Sequence, residues 1–403
     1  MILLEIASCL LTALLAPFFV FLGLLVLAAL LGRAPSLSST DRRWRFLIVI
    51  PAHDEEGVIA STVQSCRALS YPAELFTTWV IADNCTDGTA GAARQAGASV
   101  VERQAPDLRS KGHALEYFFS EIPEGRPESG YDAVVLIDAD TVVDPGLLDT
   151  FGKALNQGQD WVQGYYTVRN PDASWRTRLM TYAFSLANGV WMLGLDRLGL
   201  SVGLKGNGMC FSSRGLRRFP WRAYGLVEDM EFALMLRTRG ERVHFLPEAR
   251  VFGEMVSRGG PGAASQRRRW EAGRRALRGK FAGPLARSES IGVYRKTMYL
   301  LDLFFPPLVS LALGLAMAFS LALAHLVGNG SGRLVEGLLV AQVAMAILLS
   351  AYAISPTVVM GLPLRYLGSL VALPYYAAWK IAVAAGRGPR SWVRTPRESS
   401  TSR

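Results

Sequence analysis

The sequence predicts an α/β protein: a doubly wound, mostly parallel sheet domain set between an apolar N-terminal helix and an apolar C-terminal region. Three observations predict it. Short β-branched runs alternate with helix-length stretches between residues 41 and 294, the spacing of successive βαβ units. Acidic residues recur just after those runs, at the carboxyl ends of strands, where open α/β sheets bind ligands. The apolar residues, 50% of the 403, crowd the first thirty positions and the stretch 298–385, runs long enough to cross a membrane.

Ile2–Leu31 is apolar except for Glu5, Ser8 and Thr12. It lacks the basic start and short core of a cleaved signal, so residues 1–32 read as a membrane helix. Arg33, Arg42, Arg43 and Arg45 follow it. The positive-inside rule then places the N-terminus outside and the domain 41–294 in the cytoplasm of a bacterial-type inner membrane. Arg45–Ile50 is the first strand, followed by Pro51-Ala52-His53-Asp54-Glu55-Glu56 and a helix over Gly57–Leu69. Thr77–Ala82 is the second strand and ends in Asp83-Asn84-Cys85-Thr86-Asp87. A helix over Thr89–Ala96, a third strand over Ser99–Glu102 and a helix over Ser110–Ile122 lead to the strand Ala133–Ile137. That strand ends in Asp138-Ala139-Asp140. Two carboxylates one residue apart repel unless a cation sits with them, and a hard divalent ion bridging phosphate oxygens is the usual partner.

In the second half, Ser174–Leu198 is a helix rich in Trp, Met and Leu, and Lys205-Gly206-Asn207-Gly208 is a turn. Glu228-Asp229 opens a helix that runs to about Arg237, Arg242–Leu246 is a strand, and Ser265–Lys280 is a basic helix. On that helix Gln266, Arg269 and Trp270 stand at i, i+3 and i+4 and share one face. The apolar run Thr297–Val327, broken by Pro306-Pro307, and the run Leu334–Val359 are two further spans. Arg365–Gly386 carries Lys380 and an interrupting Pro374 and reads as an interfacial helix. Residues 297–386 thus make the C-terminal membrane region, and 387–403 a basic cytoplasmic tail. Three crossings result; four is the alternative.

The net charge of +10 is concentrated beside the apolar spans. That is the pattern of cytoplasmic membrane flanks with anionic lipid as partner, and it excludes nucleic acid. Cys9, Cys66, Cys85 and Cys210 have no metal-finger spacing and read as reduced thiols.

The set Pro51-Ala52-His53-Asp54-Glu55-Glu56, Asp83, Asp87, Lys111, Asp138-Ala139-Asp140, Glu228-Asp229 and Gln266-x-x-Arg269-Trp270 resembles the membrane-bound family-two glycosyltransferases. These include cellulose, hyaluronan and poly-N-acetylglucosamine synthases and ceramide glucosyltransferase. The resemblance spans the soluble domain and the membrane layout. It implies a GT-A fold and inverting transfer from a nucleotide-diphosphate sugar, most simply a UDP-sugar, with Mg2+ or Mn2+ as cofactor. Ala52, His53, Glu55 and Asp83 are then donor-binding, with Asp83 at the base or ribose; His53 stands where relatives often carry Tyr.

Lys111 is suited to offset the diphosphate charge. Asp140 is the first choice of metal ligand, with Asp138 at the ribose or beside the metal. Asp229 is suited to act as general base, since inverting transfer needs one carboxylate to take the acceptor proton; Glu228 would orient it. Arg269 suits diphosphate and Trp270 a sugar ring. Gly208 gives close backbone approach beside the acceptor. The acceptor is a growing cell-surface or extracellular glycan, or a membrane lipid given one sugar. Because three crossings cannot enclose a polar tunnel, the glycan reading needs an oligomer or an export partner.

Overall fold

The computed structural model describes residues 2–32, 43–255, 261–330, 332–375 and 378. The expected basic tail 387–403, Arg33, Arg42 and Lys380 lie outside the described residues.

The chain opens with α1 (Ile2–Leu31), followed by β1 (Phe46–Ala52), α2 (Glu56–Arg67), β2 (Phe76–Asp83), α3 (Thr89–Gln95), β3 (Ser99–Arg103) and α4 (Lys111–Glu121). Next come β4 (Ala133–Leu136), β5 (Thr141–Val143), α5 (Leu147–Asn156), β6 (Trp161–Val168) and α6 (Trp175–Phe184). One π-helical turn, Ser185–Val190, joins α6 to α7 (Trp191–Arg197). Then follow β7 (Met209–Ser212), α8 (Ser213–Arg218), α9 (Glu228–Thr238), β8 (Val243–Gly253), α10 (Pro261–Arg287), α11 (Val293–Phe304), α12 (Leu308–Asn329) and α13 (Arg333–Val359). Of the expected interfacial helix 365–386, the described start is a 3-10 segment over Leu364–Ala372, and residues 376, 377 and 379–386 lie outside the described residues.

The eight strands form one sheet in the order β3-β2-β1-β4-β7-β6-β8-β5. Only part of it is parallel, which corrects the mostly parallel expectation. β3, β2, β1 and β4 run parallel, as do β6 and β8. β7 is antiparallel to both β4 and β6, and β5 is antiparallel to β8. Two turn glycines directly before β7 accompany the reversal. Gly206 and Gly208 take φ of +76 and +66, which lets the chain fold back along β4 where a crossover helix would have kept it parallel.

Alternation sets the layers. In β1, Phe46, Ile48 and Ile50 face one core with α2, α3 and α5, while Leu47 and Val49 face the other, as the period-2 side-chain geometry requires. The second core is continuous with the membrane region. It includes Phe21 and Leu25 of α1, Leu195 of α7, Phe232 of α9, Phe281 of α10 and Tyr299 of α11. The lack of a side chain at Gly194 admits the α1 backbone, since a Cβ there would lie 2.5 Å from Leu25 O. Arg197 donates to the carbonyls of Ala28 and Ala29 and so closes the α1 C-terminus.

α1, α12 and α13 are the three helices, among the described residues, long and apolar enough to span a bilayer. Where they meet, Gln342 Nε2 donates to Ser8 Oγ at 3.0 Å and Thr12 Oγ1 at 2.9 Å, and Ser8 Oγ donates to Ala318 O at 2.9 Å. Such interhelical bonds hold helices together where apolar burial cannot.

Candidate active site

The strand order fixes where a ligand can sit. From β1 the chain winds outward to β2 and β3, then returns to β4 on the other side of β1. The crevice between the carboxyl ends of β1 and β4 is therefore a switch point of the sheet. Ala52 and His53 end β1, Asp83 ends β2, and Asp138 follows β4. β7 begins at the same edge, because Gly208 N donates to Leu136 O at 2.9 Å.

Two loops are clamped together on the β1–β2 side. Asp54 and Asn84 both take left-handed backbone (φ of 54 and 52), which Asp and Asn tolerate better than most residues. Thr86 N donates to Asp54 Oδ1 at 2.7 Å, and Glu55 N to Thr89 Oγ1 at 2.7 Å. His53 Nδ1 lies 2.7 Å from Asp83 O. Asp83 itself is buried and ion-paired with Arg103, and Asn84 Nδ2 donates to its Oδ1 at 3.1 Å. Arg103 thus fixes the Asp83 carboxylate at the end of β2.

The same loops group Asp54, Cys85 and Asp87, with ligand atoms all within 4.8 Å of one another, a set that could hold a cation. The sequence reading missed this grouping. Its signal was the alternation Asp83-x-Cys85-x-Asp87 following a strand adjacent to β1. Asp87 also accepts from Thr89 N at 3.0 Å, the helix-start role expected of an acid in that position.

The deeper half lies between β4, β7 and two helix N-termini. Lys111, the first residue of α4, ion-pairs with Asp138 and donates to Gly206 O. A Cβ on Gly206 would sit 3.4 Å from Asp229 Oδ2 and 3.7 Å from Lys111 Nζ, so the α9 acid reaches the same spot. Asn207 secures the floor: its Oδ1 accepts from Asp138 N at 3.2 Å and its Nδ2 donates to Thr141 Oγ1 at 2.8 Å. The Asp138–Asp140 turn is held by Thr62 Oγ1, which donates to Ala139 O at 2.7 Å. Gly208 stands behind this floor. A Cβ there would meet Val251 Cγ2 at 2.7 Å, so its glycine is explained by packing against β8.

Electrostatics follow from the crowding. Burial, then the adjacent Asp229, raise the Glu228 carboxyl to about 7, against the opposing charges of Lys111 and Arg269. Burial also raises Asp229, while the Met230 N–H, Lys111 and Lys205 act the other way. Burial alone would lower Lys111, but Asp138, Glu228 and Asp229 outweigh it and the ammonium is held above its usual value. Lys205, shielded beside Arg274, is lowered to about 8.

α10 covers this half. A Cβ on Gly273 would meet Val227 Cγ2 at 2.6 Å, so the helix crosses close to the start of α9. Lys280 ion-pairs with Glu231. Trp270 is partly buried and packs on the core that holds Phe232. The Gln266 side chain lies outside the described residues. The structure therefore brings Lys111, Asp138, Glu228, Asp229 and Arg269 together, and sets Ala52, His53, Glu55 and Asp83 at the neighbouring strand ends.

The fold and this acid-lined edge are those of an α/β domain flanked by apolar helices long enough to span a membrane. Residues 43–273, more than half of the chain, match the family model described as glycosyltransferase like family 2. The chain belongs to that family. It is 24% identical over 283 residues to glucomannan 4-beta-mannosyltransferase 7 of Arabidopsis thaliana, covering 64% of this chain. It spans about half the length of that curated relative, 48%. Its fold is similar to that of a mannosyltransferase from Pyrobaculum calidifontis in complex with GDP-Man and Mn2+, with a TM-score of 0.53, 17% identity, and coverage of 88% of this chain and 98% of that chain. These matches carry the family and the fold; they do not single out the cellulose, hyaluronan or poly-N-acetylglucosamine synthases.

Proposed function

We propose that the protein catalyses inverting transfer of a sugar, in the first instance a mannosyl group, from a nucleotide-diphosphate sugar to a glycan acceptor for cell-surface polysaccharide. The observation that carries the reading is the convergence of Asp138, Lys111 and the Glu228–Asp229 pair around Gly206. Asp229 takes the proton of the acceptor hydroxyl as that oxygen attacks the anomeric carbon. The bond from that carbon to the diphosphate oxygen breaks on the opposite face, and Lys111, with Arg269, receives the charge that develops there. Glu228 keeps Asp229 oriented and basic.

The acids fit a hard divalent cation, which Asp138 and Asp140 would hold; when bound it supplies Lewis-acid stabilisation of the leaving diphosphate. The Asp54–Cys85–Asp87 group is a second place for a cation, but a thiol raised by burial suits Mg2+ or Mn2+ less well than carboxylates do. Donor recognition falls to Ala52, His53, Glu55 and Asp83, with Gln266 and Trp270 on the covering helix. The mannosyl choice rests on the two mannosyltransferases to which the chain is similar, and sets GDP-mannose ahead of the UDP-sugar first expected.

The enzyme acts from the cytoplasmic face, with a partner or a second copy completing any export path. Membranes holding the protein, incubated with radiolabelled GDP-mannose and then UDP-sugars, test this. A sized polymer and free nucleoside diphosphate are expected. A one-sugar lipid as sole product overturns the glycan acceptor, and pyrophosphate release overturns glycosyl transfer.

A further inference from the structure

α9 is gripped at two points. Near its start, Glu231 accepts from Gly225 N at 2.9 Å and pairs with Lys280. At its end, Arg237 is buried, donates to Asp302 Oδ2 at 2.7 Å and to Ser201 O at 2.8 Å, and lies over the Tyr299 ring at 4.9 Å. Asp302 is on α11, the segment that runs through Phe305-Pro306-Pro307 straight into the membrane helix α12. Its other oxygen, Oδ1, accepts from Trp191 Nε1 at 3.0 Å. The Trp191 ring in turn packs on Phe21 of α1 and on Phe305, with centroids 5.6 and 4.6 Å apart. One carboxylate thus joins the far end of the acid-bearing helix to two membrane helices.

We propose that Asp302 is a positioning residue through which the membrane helices set the angle of α9, and with it the position of the Asp229 carboxylate. The proposal rests on the reading of Asp229 as the base. The lever is about 12 Å from Arg237 to Asp229 at 1.5 Å per residue, so a tilt of about 5° moves the acid by roughly 1 Å, a misplacement that costs up to a hundredfold in rate. Both Asp302 oxygens are engaged, so an amide at that position turns a donor towards either Trp191 or Arg237.

The test uses the full chain in lipid vesicles. Asp302→Asn is expected to lower kcat ten- to a hundredfold with KM for the nucleotide sugar within about twofold, since donor groups on β1, β2 and β4 are untouched. Hydrogen exchange in residues 226–232 is expected to speed at least tenfold, far from the substituted residue. Arg237→Lys keeps the ion pair but loses the planar fork that spans Asp302 and Ser201; it is expected to show the same pattern at a few-fold, and covers the case in which Asp302→Asn does not fold. Unchanged kcat and unchanged exchange in a folded variant overturn the proposal. Exchange is read without turnover, so an enzyme inactive on every nucleotide sugar sinks the proposed function while leaving this inference decided by exchange alone.

Discussion

At the residue scale, two neighbouring acids are proposed to do different work. In the proposed mechanism Asp229 is the group that must be ionised, and its charge adds to burial in raising Glu228. The Glu228 carboxyl, ordinarily near 4.5, is raised to about 7 in the fold. Its charged form is thus disfavoured by folding: the penalty is absent below the unfolded value and grows as pH rises towards the folded one. Glu228→Gln is therefore expected to raise the Tm at pH 8 relative to wild type, with little change at pH 4. It is also expected to move the acidic limb of the pH–kcat profile to lower pH, since a neutral amide removes a negative charge beside Asp229. A limb that stays in place would show that the pair does not titrate together. Asp138 and Asp229 could be singled out from the sequence because each stands at a strand or helix end, and the fold does place them at one edge. The pairing of Asp83 with Arg103 and the grouping of Cys85 with Asp54 and Asp87 were not legible there, since they arise from contacts between separate loops.

At the element scale, close approaches of backbone set the site, and glycine is where they show. α4 presents Lys111 because the loop carrying Ala223 presses on its first turn. A Cβ on Gly112 would lie 2.0 Å from Ala223 O, with no side chain free to yield. Gly112→Ala is expected to destabilise the protein by about 1–3 kcal/mol, seen as a lower denaturant midpoint. An unchanged midpoint would mean the loop can move away from α4 without loss. Strand and helix existence was legible from apolar alternation and length, from β1 through β4 and again in α9 and β8. Direction was not. β7 is as apolar as a parallel strand, and nothing in Met209-Cys210-Phe211-Ser212 marks it as antiparallel. Only its position, directly after two glycines with positive φ, turns it back.

At the scale of the whole molecule, the catalytic domain and the membrane region share one core, because Phe21 and Leu25 of α1 pack with residues of α7, α9 and α11. The apolar spans were plain in the sequence, but their role as a wall of the catalytic domain was not; hydropathy reports burial without saying in what. Gln342 of α13 donates to Ser8 and Thr12 of α1, and Ser8 in turn donates to Ala318 O of α12. Gln342→Leu is expected to cost about 0.6–2 kcal/mol, measured as easier unfolding in a detergent titration. No change would mean that helix packing alone holds the bundle.

The central claim is that acids distant in sequence converge on one sugar-transfer site, with Asp229 as its base. The direct measurement is single-turnover transfer from radiolabelled nucleotide sugar by wild type and by Asp229→Asn, each with and without EDTA. The account predicts transfer by wild type that EDTA abolishes and added Mn2+ or Mg2+ restores, and a fall of roughly 10²–10⁴-fold in the variant with donor binding retained. Transfer by a folded Asp229→Asn at the wild-type rate would contradict it.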